Sequence, residues 1–220
     1  IPGIQVPMTA IPEEFREEAS AGEDVTATLK VATDGANIYV LVAVPDTFSY
    51  NVENHRLSPA IGVQFAIDAG AGAHMGTEAP DFDTSTGMVD IWHWELDCGP
   101  GELSGGSFPT GNDPDCNLDD EYATLTDERE DDAADNSITG SWDHTGRADG
   151  PEAAGIWVFE MARPLQTGDP QDAQFVLGGT ALITLAYWDG NEGREKDGGW
   201  SDAGHVTSAD PGWIEVTLAR

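Results

Sequence analysis

The segment Val25-Thr-Ala-Thr-Leu-Lys-Val-Ala-Thr-Asp34-Gly35-Ala36-Asn37-Ile38-Tyr-Val-Leu-Val-Ala-Val44 reads as an antiparallel hairpin. Val25, Ala27, Leu29 and Val31 alternate with polar neighbours, which is the period of a strand with one buried face. Ile38 to Val44 is an apolar, Val-rich run, and Asp34-Gly-Ala-Asn37 between the two carries turn-forming residues. Outward from this pair, strand patterns recur at Ala60 to Asp68, Met88 to Leu96, Gly155 to Arg163, Leu182 to Trp188 and Trp213 to Leu218. A helix signal appears only at Pro12 to Ala19, with proline near its start and a cluster of Glu behind it.

Short strands joined by long polar loops predict an all-β fold, an antiparallel β-sandwich with little helix. We expect a single domain over residues 1–220. Residues 1–23 form an N-terminal extension in this reading, and 97–154 a long acidic loop insertion. Ala69 to Gly87 and Asp189 to Pro211 are the other long loops, and loops of this length on a rigid sandwich carry function. The longest apolar runs, Ile38 to Val44 and Ala181 to Trp188, fall short of the roughly 20 residues that span a bilayer.

Charge removes whole classes of partner. Forty-one Asp and Glu stand against nine Lys and Arg, for a formal net charge of -32. Nucleic acid and anionic lipid surfaces bind proteins through clustered cations, so neither is an expected partner. Such a surface suits a salt-rich medium, where screening confines self-repulsion to a few ångströms, and the reading is of a halophile's protein. The grouped aromatic and aliphatic residues supply a core that a disordered acidic chain lacks.

Cys98 and Cys116 bracket a stretch rich in Gly, Pro, Ser and Asp. Two cysteines without Cys or His neighbours at finger spacing make a poor zinc site, and no Cys-x-x-Cys-His is present for covalent haem. A disulfide closing this loop is the expectation, with two free thiols as the alternative. No basic apolar leader precedes Ile1, which fits a cytoplasmic chain or one whose signal peptide is gone. The disulfide favours an extracytoplasmic location.

The acidic run from Asn112 to Asp135 invites a calcium reading. Asp113-Pro-Asp-Cys-Asn117 begins like an EF-hand loop, but Leu118 stands where the turn needs Gly and Thr124 where the bidentate Glu belongs. Solvated acidic surface is the better reading. No Gly-x-Ser-x-Gly, phosphate-binding glycine loop or His-Glu-x-x-His occurs, and the histidines at 55, 74, 93, 144 and 205 are scattered. Substrate chemistry by this chain is not expected.

A soft-ligand constellation remains. Met75 lies in Ala71-Gly-Ala-His-Met-Gly76, a Gly-rich loop that follows a strand. In Val89-Asp-Ile-Trp-His-Trp-Glu95, alternation sends Trp92 and Trp94 to one face and Ile91, His93 and Glu95 to the other, so the indoles either wall a pocket or fill the core. Lys196, one of only two lysines beside Lys30, trails Tyr187-Trp-Asp-Gly-Asn-Glu-Gly-Arg-Glu. Together with Gly155-Ile-Trp-Val-Phe-Glu-Met-Ala-Arg-Pro-Leu165, the order of these motifs resembles the haem b subunit family typified by the gamma subunit of ethylbenzene dehydrogenase. Related gamma subunits serve chlorate, selenate, dimethyl sulfide and some nitrate-converting molybdoenzymes. The resemblance runs from about Val25 to the C-terminus and is most specific at Trp-x-Trp and at Trp-Asp-Gly with its lysine.

The resemblance implies a β-sandwich holding one non-covalent haem b between loops, with Met75 and Lys196 as axial ligands of the iron. A thioether and a neutral amine add no charge to the centre. His74 is the alternative to Met75, and Met88 a second candidate. Arg56, Arg147 and Arg194 are conceivable propionate partners. The stretch from Cys98 to Asp135 is longer than the family pattern. The implied role is electron transfer between an iron-sulfur subunit of a molybdopterin-containing complex and an external carrier or quinone pool, with a respiratory nitrate or related oxyanion reductase as the natural host. The contrasting reading is a haem-free, carbohydrate-binding-module-like sandwich in which Trp92, Trp94, Trp188 or Trp200 stacks on sugars.

Overall fold

The structure, a computed structural model, describes residues 2–10, 23–51, 57–78, 81–96, 104–105, 117–125, 128–132, 136–190 and 205–219. Its strands are β1 (Ile4–Ala10), β2 (Val25–Thr33), β3 (Asn37–Thr47), β4 (Ala60–Ala66), β5 (Val89–Glu95), β6 (Ser104–Gly105) and β7 (Leu118–Leu125), then β8 (Glu128–Asp131), β9 (Thr139–His144), β10 (Ala154–Pro164), β11 (Thr180–Trp188), β12 (His205–Thr207) and β13 (Ile214–Thr217). The fold is all-β, and every pairing between these strands is antiparallel.

Two sheets result. The first runs β6-β9-β10-β3-β2-β1 and the second β12-β11-β4-β5-β7-β8, with β13 also on β11. The β2–β3 hairpin forms as its sequence requires, with Thr33 opposite Ile38. Asp34 Oδ1 closes the turn by accepting from the amides of Ala36 and Asn37, both at 2.8 Å. Gly35 there has φ 93°, a left-handed conformation open to glycine. Leu29, Val40, Val42, Phe159 and Met161 of the first sheet share one core with Val63, Phe65, Trp92, Trp94 and Ile183 of the second. The rings of Trp94 and Phe159 meet edge to face at 6.3 Å across this seam.

Three expectations change. Residues 1–23 are not merely an extension: Ile4 to Met8 pair with β2, while Thr9 and Ala10 continue onto β12, so β1 belongs to both sheets. The stretch 97–154 is not one loop, because β7, β8 and β9 lie in it and Leu118 and Trp142 enter the core. Acids at Asp119 and Glu121, which point away from the core, mask the strand pattern there. Trp92 and Trp94 are wholly buried between the sheets, which removes both from any sugar-stacking surface. Pro12 to Ala19, Cys98 and Cys116 lie outside the described residues.

One ionic knot joins the sheets. Arg163 on β10 is wholly buried, its Nη2 donating to Asp90 of β5 and to the carbonyl of Ala173 at 3.1 Å. Its Nη1 donates to Asp172 at 2.9 Å and to Asp120 of β7 at 3.4 Å. The guanidinium also lies 5.1 Å from the centre of the Trp92 ring. Three carboxylates exceed one cation, and ionising all of them away from water is unfavourable. Burial pushes Asp120 up to about 9 and Asp172 up to about 6, and it raises Asp90 against the pull of Arg163.

These upward shifts fix a sign. An acid whose folded pKa exceeds its unfolded value holds its proton more tightly when folded, so its contribution to stability declines as pH rises between the two values. For Asp120 that window runs from 3.8 to about 9. Chemical denaturation of the parent and of Asp120→Asn at fixed high salt should show the parent losing ground to the variant by up to about 1.4 kcal/mol per pH unit between pH 5 and 8. Parallel profiles would place the retained proton elsewhere.

Candidate functional site

The second sheet has an outward face that is also largely covered. Alternation places Gly62, Gln64 and Ala66 of β4, Val89, Ile91, His93 and Glu95 of β5, Asp119, Glu121 and Ala123 of β7, and Thr184, Ala186 and Trp188 of β11 on that side. Gln64, Ile91, His93 and Glu121 are buried there. Small residues line the strip between β4 and β11, and the Trp188 ring lies over Gly62, 3.5 Å from where a Cβ would stand.

The Gly-rich loop folds back over one end of this face. Gln64 Nε2 donates to the carbonyl of Ala73 at 2.9 Å and to Thr184 Oγ1 at 3.1 Å, while Trp213 Nε1 donates to the carbonyl of Ala71 at 2.8 Å. Inside the loop, the Gly76 amide reaches the Gly72 carbonyl at 3.1 Å and the Thr77 amide reaches His74 at 3.0 Å. Any side chain at Gly72 would collide with the Thr77 backbone, and one at Gly76 with the Gly87 carbonyl. That close approach explains both glycines.

Met75 itself has φ 51°, a left-handed backbone uncommon outside glycine. Its side chain packs with Trp213 and Ala66 on Ala71, Val89, Ile91 and Ala123, so the thioether lies on the outward face. His74 turns elsewhere: its Nε2 is 3.4 Å from Asp210 Oδ1, and its ring meets Phe82 edge to face at 5.1 Å. Met88 holds the start of β5, its carbonyl accepting from Ile67 and Asp68, and alternation places it opposite to Val89 and Ile91. Of these three candidates, Met75 is the one packed on the outward face.

Lys196, Arg56, Arg194 and Trp200 lie outside the described residues, but the flanks of residues 191–204 are clear. Trp188 and His205 are paired across β11 and β12, with ring centres 4.7 Å apart. They stand on the outward face at the end opposite Met75. Met75 and both flanks of the lysine-bearing segment thus share one side of one sheet. Arg147 does not join them, since it follows β9 in the other sheet and pairs with Asp143 at 3.0 Å.

At the Trp188 end the sheet carries titratable side chains that the sequence reading did not single out as a group. His93 is 1% exposed, and its ring lies 5.3 Å from that of Trp188. Glu121 and Asp119 of β7 flank it, and burial pushes Asp119 up to about 8, with Glu121, Asp131 and Glu95 adding to the effect. The available signal was the period-two match of His93 and Glu95 to Asp119 and Glu121, hidden by the general abundance of acids.

No protein-family model matches this chain, and no curated protein matches it in sequence.

The loop's attachment to the face rests on Gln64. Gln64→Leu leaves the Ala73 carbonyl and Thr184 hydroxyl unpaired, and we expect a loss of about 1–3 kcal/mol in denaturant unfolding. Amide exchange at Gly76 and Thr77 should quicken along with it, whereas exchange in β10 measured below global unfolding should not change.

Proposed function

We propose that this chain is a haem b electron-transfer subunit of an extracytoplasmic molybdoenzyme complex, with Met75 and Lys196 as the iron ligands. The observation that carries the reading is the placement of Met75 and of both flanks of residues 191–204 on one covered sheet face. The small residues Gly62, Ala66 and Ala186, bounded by the indoles of Trp188 and Trp213, suit a flat apolar ligand. The left-handed backbone of Met75 is a local strain of the kind that persists where a side chain must be aimed.

Haem b, when bound, supplies a one-electron couple. The chain's own residues set its surroundings: Met75 offers an uncharged soft donor, the Gly72–Gly76 turn fixes that donor on the face, and the buried surface excludes water. Lysine ligation requires loss of the ammonium proton, which a neighbouring metal cation favours. Iron-sulfur and molybdopterin subunits are the proposed partners, and a respiratory nitrate or related oxyanion reductase is the proposed host. Substrate chemistry belongs to those subunits in this reading. The high negative charge discourages nucleic acid and anionic membranes as partners.

A visible spectrum of the purified protein in high salt, air-oxidised and then dithionite-reduced, with a pyridine haemochrome assay, tests the reading directly. The expected result is haem b with a Soret band that shifts on reduction and sharp α and β bands. Met75→Ala and Lys196→Ala should each lose haem or change the low-spin spectrum, while His74→Ala should leave it intact. Protein that remains colourless after haemin addition overturns the proposal, and glycan binding sensitive to Trp188→Ala would then favour the sugar-binding reading.

A further inference from the structure

We propose that His93, Asp119 and Glu121 form a binding site for a divalent first-row transition ion, with Zn²⁺ as the reference. The site is separate from the proposed haem ligands and stands or falls without them.

His93 carries the argument. Its side chain is 2% exposed, and neither ring nitrogen has a hydrogen-bond partner among the described residues. A buried imidazole with both nitrogens unsatisfied is costly unless something occupies the space beside it. Nδ1 lies 3.5 Å from Glu121 Oε1, too long for the 2.7–2.9 Å typical of a charge-assisted hydrogen bond. It suits two atoms bound to one ion, because bonds of about 2.0–2.1 Å at a tetrahedral angle hold neighbouring ligand atoms roughly 3.3–3.4 Å apart. One ligand atom from each of His93, Asp119 and Glu121 falls within 4.8 Å of the others.

The surrounding groups are arranged as a metal site needs. Nε2 of His93 faces Glu95 Oε1 at 3.9 Å, so with Nδ1 on the ion the remaining N–H points at a carboxylate. Glu95 is itself fixed by Asn117, whose Nδ2 donates to Oε2 at 3.1 Å. Arg129 Nε lies 2.8 Å from Glu121 Oε2, which leaves Oε1 turned toward His93. An imidazole with two carboxylates favours a borderline transition ion over Ca²⁺ or Mg²⁺, which prefer all-oxygen shells. Three protein donors also leave a fourth position for water or an anion.

Equilibrium binding to the full chain, stripped with chelator and held in sodium sulfate brine, decides the matter. We expect one Zn²⁺ per chain, no stoichiometric Ca²⁺ or Mg²⁺, and at least tenfold weaker zinc binding in both His93→Gln and Asp119→Asn. X-ray absorption of the zinc-loaded parent should show a nitrogen and oxygen shell at about 2.0–2.1 Å without sulfur. Asp119→Asn is isosteric at a half-buried position, so it and the absorption spectrum suffice should His93→Gln fail to fold. Absence of stoichiometric zinc, a sulfur-containing shell, equal Ca²⁺ binding, or unchanged affinity in a folded variant each overturns the site.

Discussion

The guanidinium of Arg163 is the constraint around which this sandwich is organised. It sits on β10 of one sheet and reaches Asp90 and Asp120 on two adjacent strands of the other, with Asp172 and the Ala173 carbonyl as further acceptors for its two Nη groups. A charge so deeply placed tolerates little displacement, since any loosening leaves ions unpaired away from water. The sheets are thereby held in register by directional bonds as well as by apolar packing. The same bonds fix the position of β5, which presents Trp92 inward and Ile91 and His93 outward. The geometry of the outward face is therefore inherited from an ion cluster on the other side of its central strand.

Much of the fold was legible because the hydrophobic period is strong where strands are half-buried. The hairpin at Val25 to Val44 and the long β10 lie close to their expected positions, and Trp92 and Trp94 fall on one side as alternation requires. What escaped did so for identifiable reasons. In β7 the residues facing the core include Asp120, whose carboxylate is accommodated by Arg163, a partner distant in sequence. In β9 the inward residues Gly140, Trp142 and His144 are too mixed in polarity to stand out from a loop. Ile4 to Ala10 has a proline at its centre, a residue that weakens a strand signal, and Pro7 stands opposite Thr26 in the pairing with β2.

The candidate site was legible to a different extent. Met75 was singled out through a motif, and its side chain packs against Ala71, Val89, Ile91 and Ala123 on the outward face. The cluster at His93 was not visible as a cluster, because in a chain with this many acids no single Asp or Glu carries information. Only pairing between β5 and β7 brings Asp119 and Glu121 beside the imidazole. Proximity across a sheet is a property of register, and register between strands separated by a long stretch is not written in local periodicity.

The way β1 enters both sheets has a mechanical meaning. Because Ile4 to Met8 are zipped to β2 while Thr9 and Ala10 are zipped to β12, tension on the chain ahead of Ile4 would load both sheets through one short element. The two layers cannot slide past each other without shearing that strand. In the proposed electron-transfer role, such a seam would keep the distances between groups on the two layers fixed when the chain is loaded.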